Sequence, residues 1–246
     1  MKAIFASLLL ATTLFFTACE DDNSLGGASK GEKATLGDGS VQTYVTTDEQ
    51  GEPVEIALVI SEKALQTLPD EDVRLNLDFP GEAGETPFVY MGFGWNHHGH
   101  EPENIYDKPH FDFHFYIQKE AEVMAITPAD TVKANRLPAP EYLPAGHFAA
   151  GLVPQMGNHN IDLASPELNG QPFTQTFIYG SFDGKVTFLE PMITKQFITE
   201  QKNFEAAIKL PAKYEHTGKF YPTRYGFRYD AGKKEYQFYL KDFVQR

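Results

Sequence analysis

From about residue 40 onward, apolar and polar residues mostly alternate one for one. That is the period of an extended strand, whose successive side chains point to opposite faces. The alternation predicts strands over 42–47, 54–60, 73–79, 87–95, 110–118, 173–179, 185–191, 225–229 and 235–240. Two tight hairpins are expected, at Ser181-Phe182-Asp183-Gly184 and at Asp230-Ala231-Gly232-Lys233, where glycine supplies the positive φ of such turns. Helical signals are few and short. Ser61 can cap a helix over 62–68 that Pro69 stops, and 119–124 and 194–199 are further short candidates. The stretch 127–170 is rich in Pro, Gly and Ala and reads as long ordered loops. The pattern predicts a mainly β fold, an antiparallel β-barrel or sandwich with a few short peripheral helices. A parallel α/β fold would need regular strand–helix alternation, which is missing.

The first residues change the picture of where the domain lives. Lys2, an apolar run from Ile4 to Phe16 and then Phe16-Thr17-Ala18-Cys19 fit an export signal over 1–18. Cysteine straight after the small residues is the pattern of a bacterial lipoprotein, acylated at Cys19. The run is too short for a spanning helix. Residues 19–40, polar and Gly/Ser-rich, are expected to be a flexible tether, and 41–246 a single β-rich domain. The expected location is the bacterial cell envelope, with membrane attachment through the Cys19 anchor. Cys19 is the one cysteine of the chain, so disulfides, thiolate zinc sites and a cysteine nucleophile are excluded from the domain. A formal charge of −13 argues against nucleic acid as a partner.

The candidate chemistry lies in one region. Five of the eight histidines fall between His97 and His114. On a strand, His110, Asp112, His114 and Tyr116 share one face, while Phe111, Phe113 and Phe115 share the other and belong in a core. The polar face therefore lines solvent or a cavity. His110 and His114 stand about 13 Å apart on a straight strand, too far for one metal ion. At least one must join ligands from elsewhere, and His98 and His100 in the Gly-containing loop before Pro102 are natural partners. Asp112 could orient a ring from behind.

Two pieces lie further on. Pro154-Gln155-Met156-Gly157-Asn158-His159 places His159 after a glycine turn. Glu190 interrupts an apolar strand face, where a carboxylate requires either a metal or a Lys/Arg partner. The candidate metal ligands are thus His98, His100, His110, His114, His159 and Glu190, with Asp112 and Glu101 as candidate catalytic, general-base groups. Nitrogen and oxygen donors without thiolate suit a divalent transition metal: zinc, iron, manganese or copper. Three functions compete: a metalloenzyme acting on a small molecule, a non-catalytic metal- or ligand-binding envelope protein, and a structural protein whose histidines form a hydrogen-bond network around Tyr106 and Tyr116.

The residues Gly99-His100-Glu101-Pro102, Tyr106-Asp107, Pro109 through Tyr116, Met156-Gly157 with His159, Thr176 through Gly180, Glu190-Pro191-Met192 and Tyr221-Pro222-Thr223 resemble a bacterial family of exported domains of unknown function. A Thermus protein under extracytoplasmic sigma and anti-sigma control typifies it. The resemblance covers roughly 73–229 and implies an exported, homo-oligomeric domain. That family has no assigned activity, so no catalytic residue carries over. The clustered histidines are also similar to cupin metal motifs, although Glu101 follows His100 directly and the order of parts differs, which leaves an analogy only.

Overall fold

The computed structural model describes residues 27–246; the signal segment and Cys19 lie outside the described residues. The described chain forms thirteen strands in two antiparallel sheets. The six-stranded sheet contains β1 (Gly27–Leu36), β2 (Gly39–Thr47), β3 (Pro53–Ser61), β11 (Asn203–Ala207), β12 (Phe220–Asp230) and β13 (Glu235–Gln245), in the order β1-β2-β3-β13-β12-β11. The seven-stranded sheet contains β4 (Val73–Asp78), β5 (Tyr90–Asn96), β6 (His110–Tyr116), β7 (His147–Val153), β8 (Gly157–Asp162), β9 (Gln175–Phe182) and β10 (Lys185–Thr194), in the order β4-β5-β6-β10-β9-β8-β7. Neither sheet closes on itself, so of the two expected architectures the chain adopts the sandwich.

The core lies between the sheets. Ile56, Leu58 and Ile60 of β3 and Phe238 and Leu240 of β13 meet Phe93 of β5 and Phe111, Phe113 and Phe115 of β6. The rings of Phe113 and Phe238 stack across the interface at 4.5 Å. Each such buried side chain contributes roughly 1.5–3 kcal/mol. This packing fixes which way β6 faces: with its phenylalanines inward, His110, Asp112, His114 and Tyr116 stand on the outer face of the seven-stranded sheet.

Three short helices form where they are expected, and a fourth lies in the stretch expected to be loops. Ser61 accepts from Ala64 N at the start of α1 (Glu62–Gln66), and Thr194 accepts from Phe197 N at the start of α4 (Lys195–Gln201). α2 (Glu120–Met124) and α3 (Thr131–Ala134) are single turns. None of the helices among the described residues is long and apolar enough to cross a membrane. The β9–β10 hairpin turns at Asp183 and Gly184, both at positive φ; in the β12–β13 hairpin the positive φ falls on Lys234 rather than Gly232.

Four expectations need correction. The expected tether 19–40 runs into β1, an edge strand paired with β2 whose Leu36 is buried while most of its polar side chains remain exposed. Edge strands need little apolar content, which hides them from a pattern search. The expected loops over 127–170 contain the β7–β8 hairpin. There the inward-facing residues of β8 are Asn158 and Asn160, buried and hydrogen-bonded to Ala134 O and Tyr179 O, so polarity masks the strand. β11 also escaped: Lys202 at φ 59° ends α4 and turns the chain back to pair with β12. Finally, α1 stops at Gln66, short of Leu68.

Candidate metal centre

Strand register assembles the site. On the outer face of the seven-stranded sheet, β6 places His110, Asp112 and His114 beside Asn96, Gly94 and Gly92 of β5. On its other side β10 pairs Met192 with Asp112, and Glu190, two residues earlier, lies on the same face. Glu190 is opposite Ile178 of β9, and His159 of β8 is opposite Gly180 of β9. Gly94 leaves room for this packing. A Cβ there would lie 3.1 Å from the Arg74 guanidinium and 3.2 Å from Asp112 Oδ2.

The loop between β5 and β6 brings His100 over the sheet. Gly99, at φ 81°, packs so tightly that a Cβ would meet the Tyr106 carbonyl oxygen at 2.2 Å, and His100 N donates to that carbonyl. The His100 ring thereby lies 4.7 Å from the His110 ring.

Two trios of donor atoms result: His100, His110 and Asp112, and His114, His159 and Glu190. Within each, one ligand atom per residue lies within 4.8 Å of the others. Both clusters suit a divalent transition metal. In the first, His110 Nδ1 donates to Lys108 O at 2.6 Å and His100 Nδ1 donates to Glu101 O at 2.6 Å. Each ring thus spends its Nδ1 proton on a carbonyl and turns Nε2 toward Asp112, at 3.1 Å from Oδ1 and 3.8 Å from Oδ2 respectively. Metal-binding histidines are oriented this way, with a backbone acceptor behind and Nε2 in front, although His110 Nε2 here accepts from Asn96 Nδ2 at 3.2 Å. Asn96 completes the support. Its Oδ1 accepts from Arg74 Nη2, which directs Nδ2 at Asp112 Oδ2, 2.8 Å away.

In the second trio, His114 Nε2 is 3.2 Å from Glu190 Oε1 and His159 Nε2 is 3.5 Å from Glu190 Oε2. Glu190 and His114 are 1 % and 3 % exposed. Asp112 Oδ1, His114 Nε2 and Glu190 Oε2 are buried and have no hydrogen-bond partner. Buried polar atoms left alone are costly, on the order of 1–3 kcal/mol each. A cation bound in each trio would offset that cost.

The protonation states support this reading. Burial pushes His114 down to about 3, with the positive charges of His159 and Arg74 acting the same way and Asp112 opposing; burial likewise pushes His159 down to about 4. Both are neutral at neutral pH, the form that ligates. Burial, reinforced by the charge of Asp112, pushes Glu190 well above the usual carboxylate range. Burial works the same way on Asp112, but His110 beside it, joined by His100, holds that carboxyl well below the usual range. Among the described residues no Lys or Arg pairs with Glu190; the ion-pair partners within 4 Å of it are the imidazoles of His114 and His159.

The trios open onto a cleft of about 900 Å³, lined by His100, Asp112, His114, His159 and Glu190 with Arg74, Met156 and Met192. Tyr106, Ile178 and Met192 of one small apolar cluster line part of it, and the Phe188 ring of another packs against His114 at 4.8 Å. The expected residues distribute as follows. His100, His110, His114, His159, Glu190 and Asp112 come together, with His110 and His114 in separate trios. Glu101 sits exposed on the cleft rim. His98 stays apart, with its ring against that of His97 at 3.9 Å, beside a separate hollow near Trp95 and Lys195. Tyr106 donates to Glu167 and sets its ring edge-on to His100 at 5.9 Å, while the Tyr116 ring stacks between Tyr90 at 4.6 Å and His114 at 5.5 Å. Sequence reasoning missed Arg74 and Asn96. The available signal was Gly92-Phe93-Gly94-Trp95-Asn96, a strand face of two glycines and an amide that must lie against something bulky and polar.

No protein-family profile, curated protein or solved structure matches the chain.

Proposed function

We propose that this chain is an extracytoplasmic lipoprotein, anchored to the membrane through Cys19, that binds a divalent transition metal and uses it on a small molecule in the cleft. One observation carries the metal reading. Glu190 and His114 are buried side by side with His159, without a basic side chain in contact and with ligand atoms left unpartnered. The cleft carries the enzymatic part, since it gives a small molecule access to the ligand atoms. A metal held there by these residues would supply acidified water or polarisation of a substrate oxygen. Glu101 at the rim and Asp112 within the first trio are the carboxylates placed to handle a proton. Export, lipidation and self-association rest on the amino-terminal pattern and on the resemblance carried by the His-rich strand.

A second reading, non-catalytic metal binding, is favoured by the burial of the second trio, whose Glu190 and His114 are almost wholly shielded from solvent. Metal analysis and turnover separate the two. The full chain, stripped by chelator and dialysed against micromolar zinc, manganese, iron or copper, is expected to retain metal and to gain thermal stability. A chain that retains no divalent ion and gains no stability from any of the four contradicts the proposal.

A further inference from the structure

We propose that the two trios are filled together and form a paired centre for one ligand, an oxyanion-bearing small molecule. This rests on the reading above that the cleft holds metal, and it goes further in ion number and ligand class.

Adjacency is the first argument. Asp112 of the first trio and His114 of the second are alternate residues of β6, about 7 Å apart along the strand. Glu190 stands on the neighbouring strand, on the same face as Met192, which pairs with Asp112. His100 and Asp112 from one trio and His114, His159 and Glu190 from the other line the same cleft, so a single small molecule reaches both.

Charge is the second argument. Two divalent ions would balance the four carboxylates that line the cleft, the buried Asp112 and Glu190 and the exposed Glu101 and Glu103. Arg74 would tip that balance to positive. Its guanidinium lines the cleft and is pinned by Val73 O at 3.0 Å, Trp95 O at 3.3 Å and Asn96 Oδ1. A pinned arginine presents a fixed planar fork, the geometry that reads carboxylate or phosphate oxygens. In a chain of formal charge −13, this local excess of positive charge marks the cleft for an anion. Ions held in the two trios would supply Lewis-acid stabilisation to an oxyanion in the shared cleft. The cleft is far larger than a bare phosphate, so the oxyanion is one end of a larger molecule.

The test uses the full chain, zinc, and two probes, inorganic phosphate and oxalate, which separate the phosphoryl from the carboxylate version of the ligand. Two zinc ions per chain are expected by equilibrium dialysis. His100→Ala and His159→Ala are each expected to retain one. His100 is half-exposed on a loop, so its substitution leaves the fold intact, which far-ultraviolet circular dichroism verifies. At least one probe is expected to bind the two-zinc chain in calorimetry, and to bind at least about tenfold more weakly in His100→Ala, in His159→Ala and in Arg74→Gln. One zinc per chain, no binding of either probe, or unchanged binding in His100→Ala overturns the paired centre while leaving metal binding standing. Absence of any bound zinc overturns both.

Discussion

The outer faces of the two sheets treat charge in opposite ways. On the six-stranded sheet, Arg228 grips Glu55 with two bonds of 2.7 Å, and Glu205 takes Arg224 Nε at 2.6 Å and Lys241 Nζ at 2.5 Å. Lys241, with Arg224, holds Glu205 below the usual carboxylate range. On the seven-stranded sheet Glu190 faces two neutral imidazoles, and burial pushes it the other way. The same residue type on the same kind of scaffold therefore carries its charge in one place and loses it in the other. The difference is the counter-ion. One face supplies it from its own side chains, and the other is arranged for a cation from outside. A buried carboxylate without a partner is a poor structural device, which is why its retention beside His114 and His159 points to ligand chemistry.

The comparison breaks most sharply at His114. His114→Ala removes a ligand rather than a supporting group, so metal affinity of the second trio is expected to fall by more than the roughly 10–100-fold typical of an outer partner. Competition against a chelating dye reads this directly. Unchanged affinity would place the metal elsewhere.

Glu190→Gln is expected to act with opposite signs in two states. Without metal, the amide replaces a carboxyl that burial already keeps protonated, and stability is expected to hold or rise by up to about 1–3 kcal/mol. With metal, the variant is expected to lose the stabilisation that the ion confers, about 2.7 kcal/mol at a hundredfold excess over Kd. Paired thermal melts with and without zinc show whether the sign changes. Equal destabilisation in both states would make Glu190 a structural residue.

Acidification sharpens the contrast further. His114 and His159 are depressed from 6.5 to about 3 and about 4 in the folded chain, so the unfolded chain takes up their protons first. Their contribution to stability is full above about pH 6.5 and is lost as the pH falls toward the folded values. Glu190 behaves oppositely: its raised folded pKa contributes stability below 4.5 that is lost as the pH rises through it. The metal-free chain is therefore expected to melt at lower temperature at pH 5 than at pH 7, and His159→Gln, which cannot charge, is expected to flatten that slope. A slope unaltered by His159→Gln would assign the acid sensitivity to other groups.

The smallest effect is expected on the self-sufficient face. Arg228 is partly exposed, and Arg228→Ala is expected to cost no more than about 1 kcal/mol and to leave metal content untouched. A larger loss would mean that the ion pairs of this face hold the sandwich together.

Much of this was legible from periodicity. Phe111, Phe113 and Phe115 announced the core-facing side of β6, and with it the placement of His110, Asp112 and His114 on the opposite face, where they too are buried. The same spacing argument separated His110 from His114, and the structure puts them in different trios. What periodicity could not show was partnership across strands. Arg74 and Asn96 join the site through register with β5, which no local pattern specifies. His98 and His100 are equivalent in sequence, but the tight contact of Gly99 with Tyr106 turns one inward and leaves the other outside. β8 stayed hidden because Asn158 and Asn160 are buried through hydrogen bonds instead of apolarity.

Convergence of imidazole nitrogens from separate strands and a loop on metal is read out by X-ray absorption at the zinc edge of the loaded full chain. A nitrogen/oxygen shell with the outer-shell scattering of about two imidazoles per zinc is expected. A purely oxygen shell without imidazole scattering would contradict that convergence.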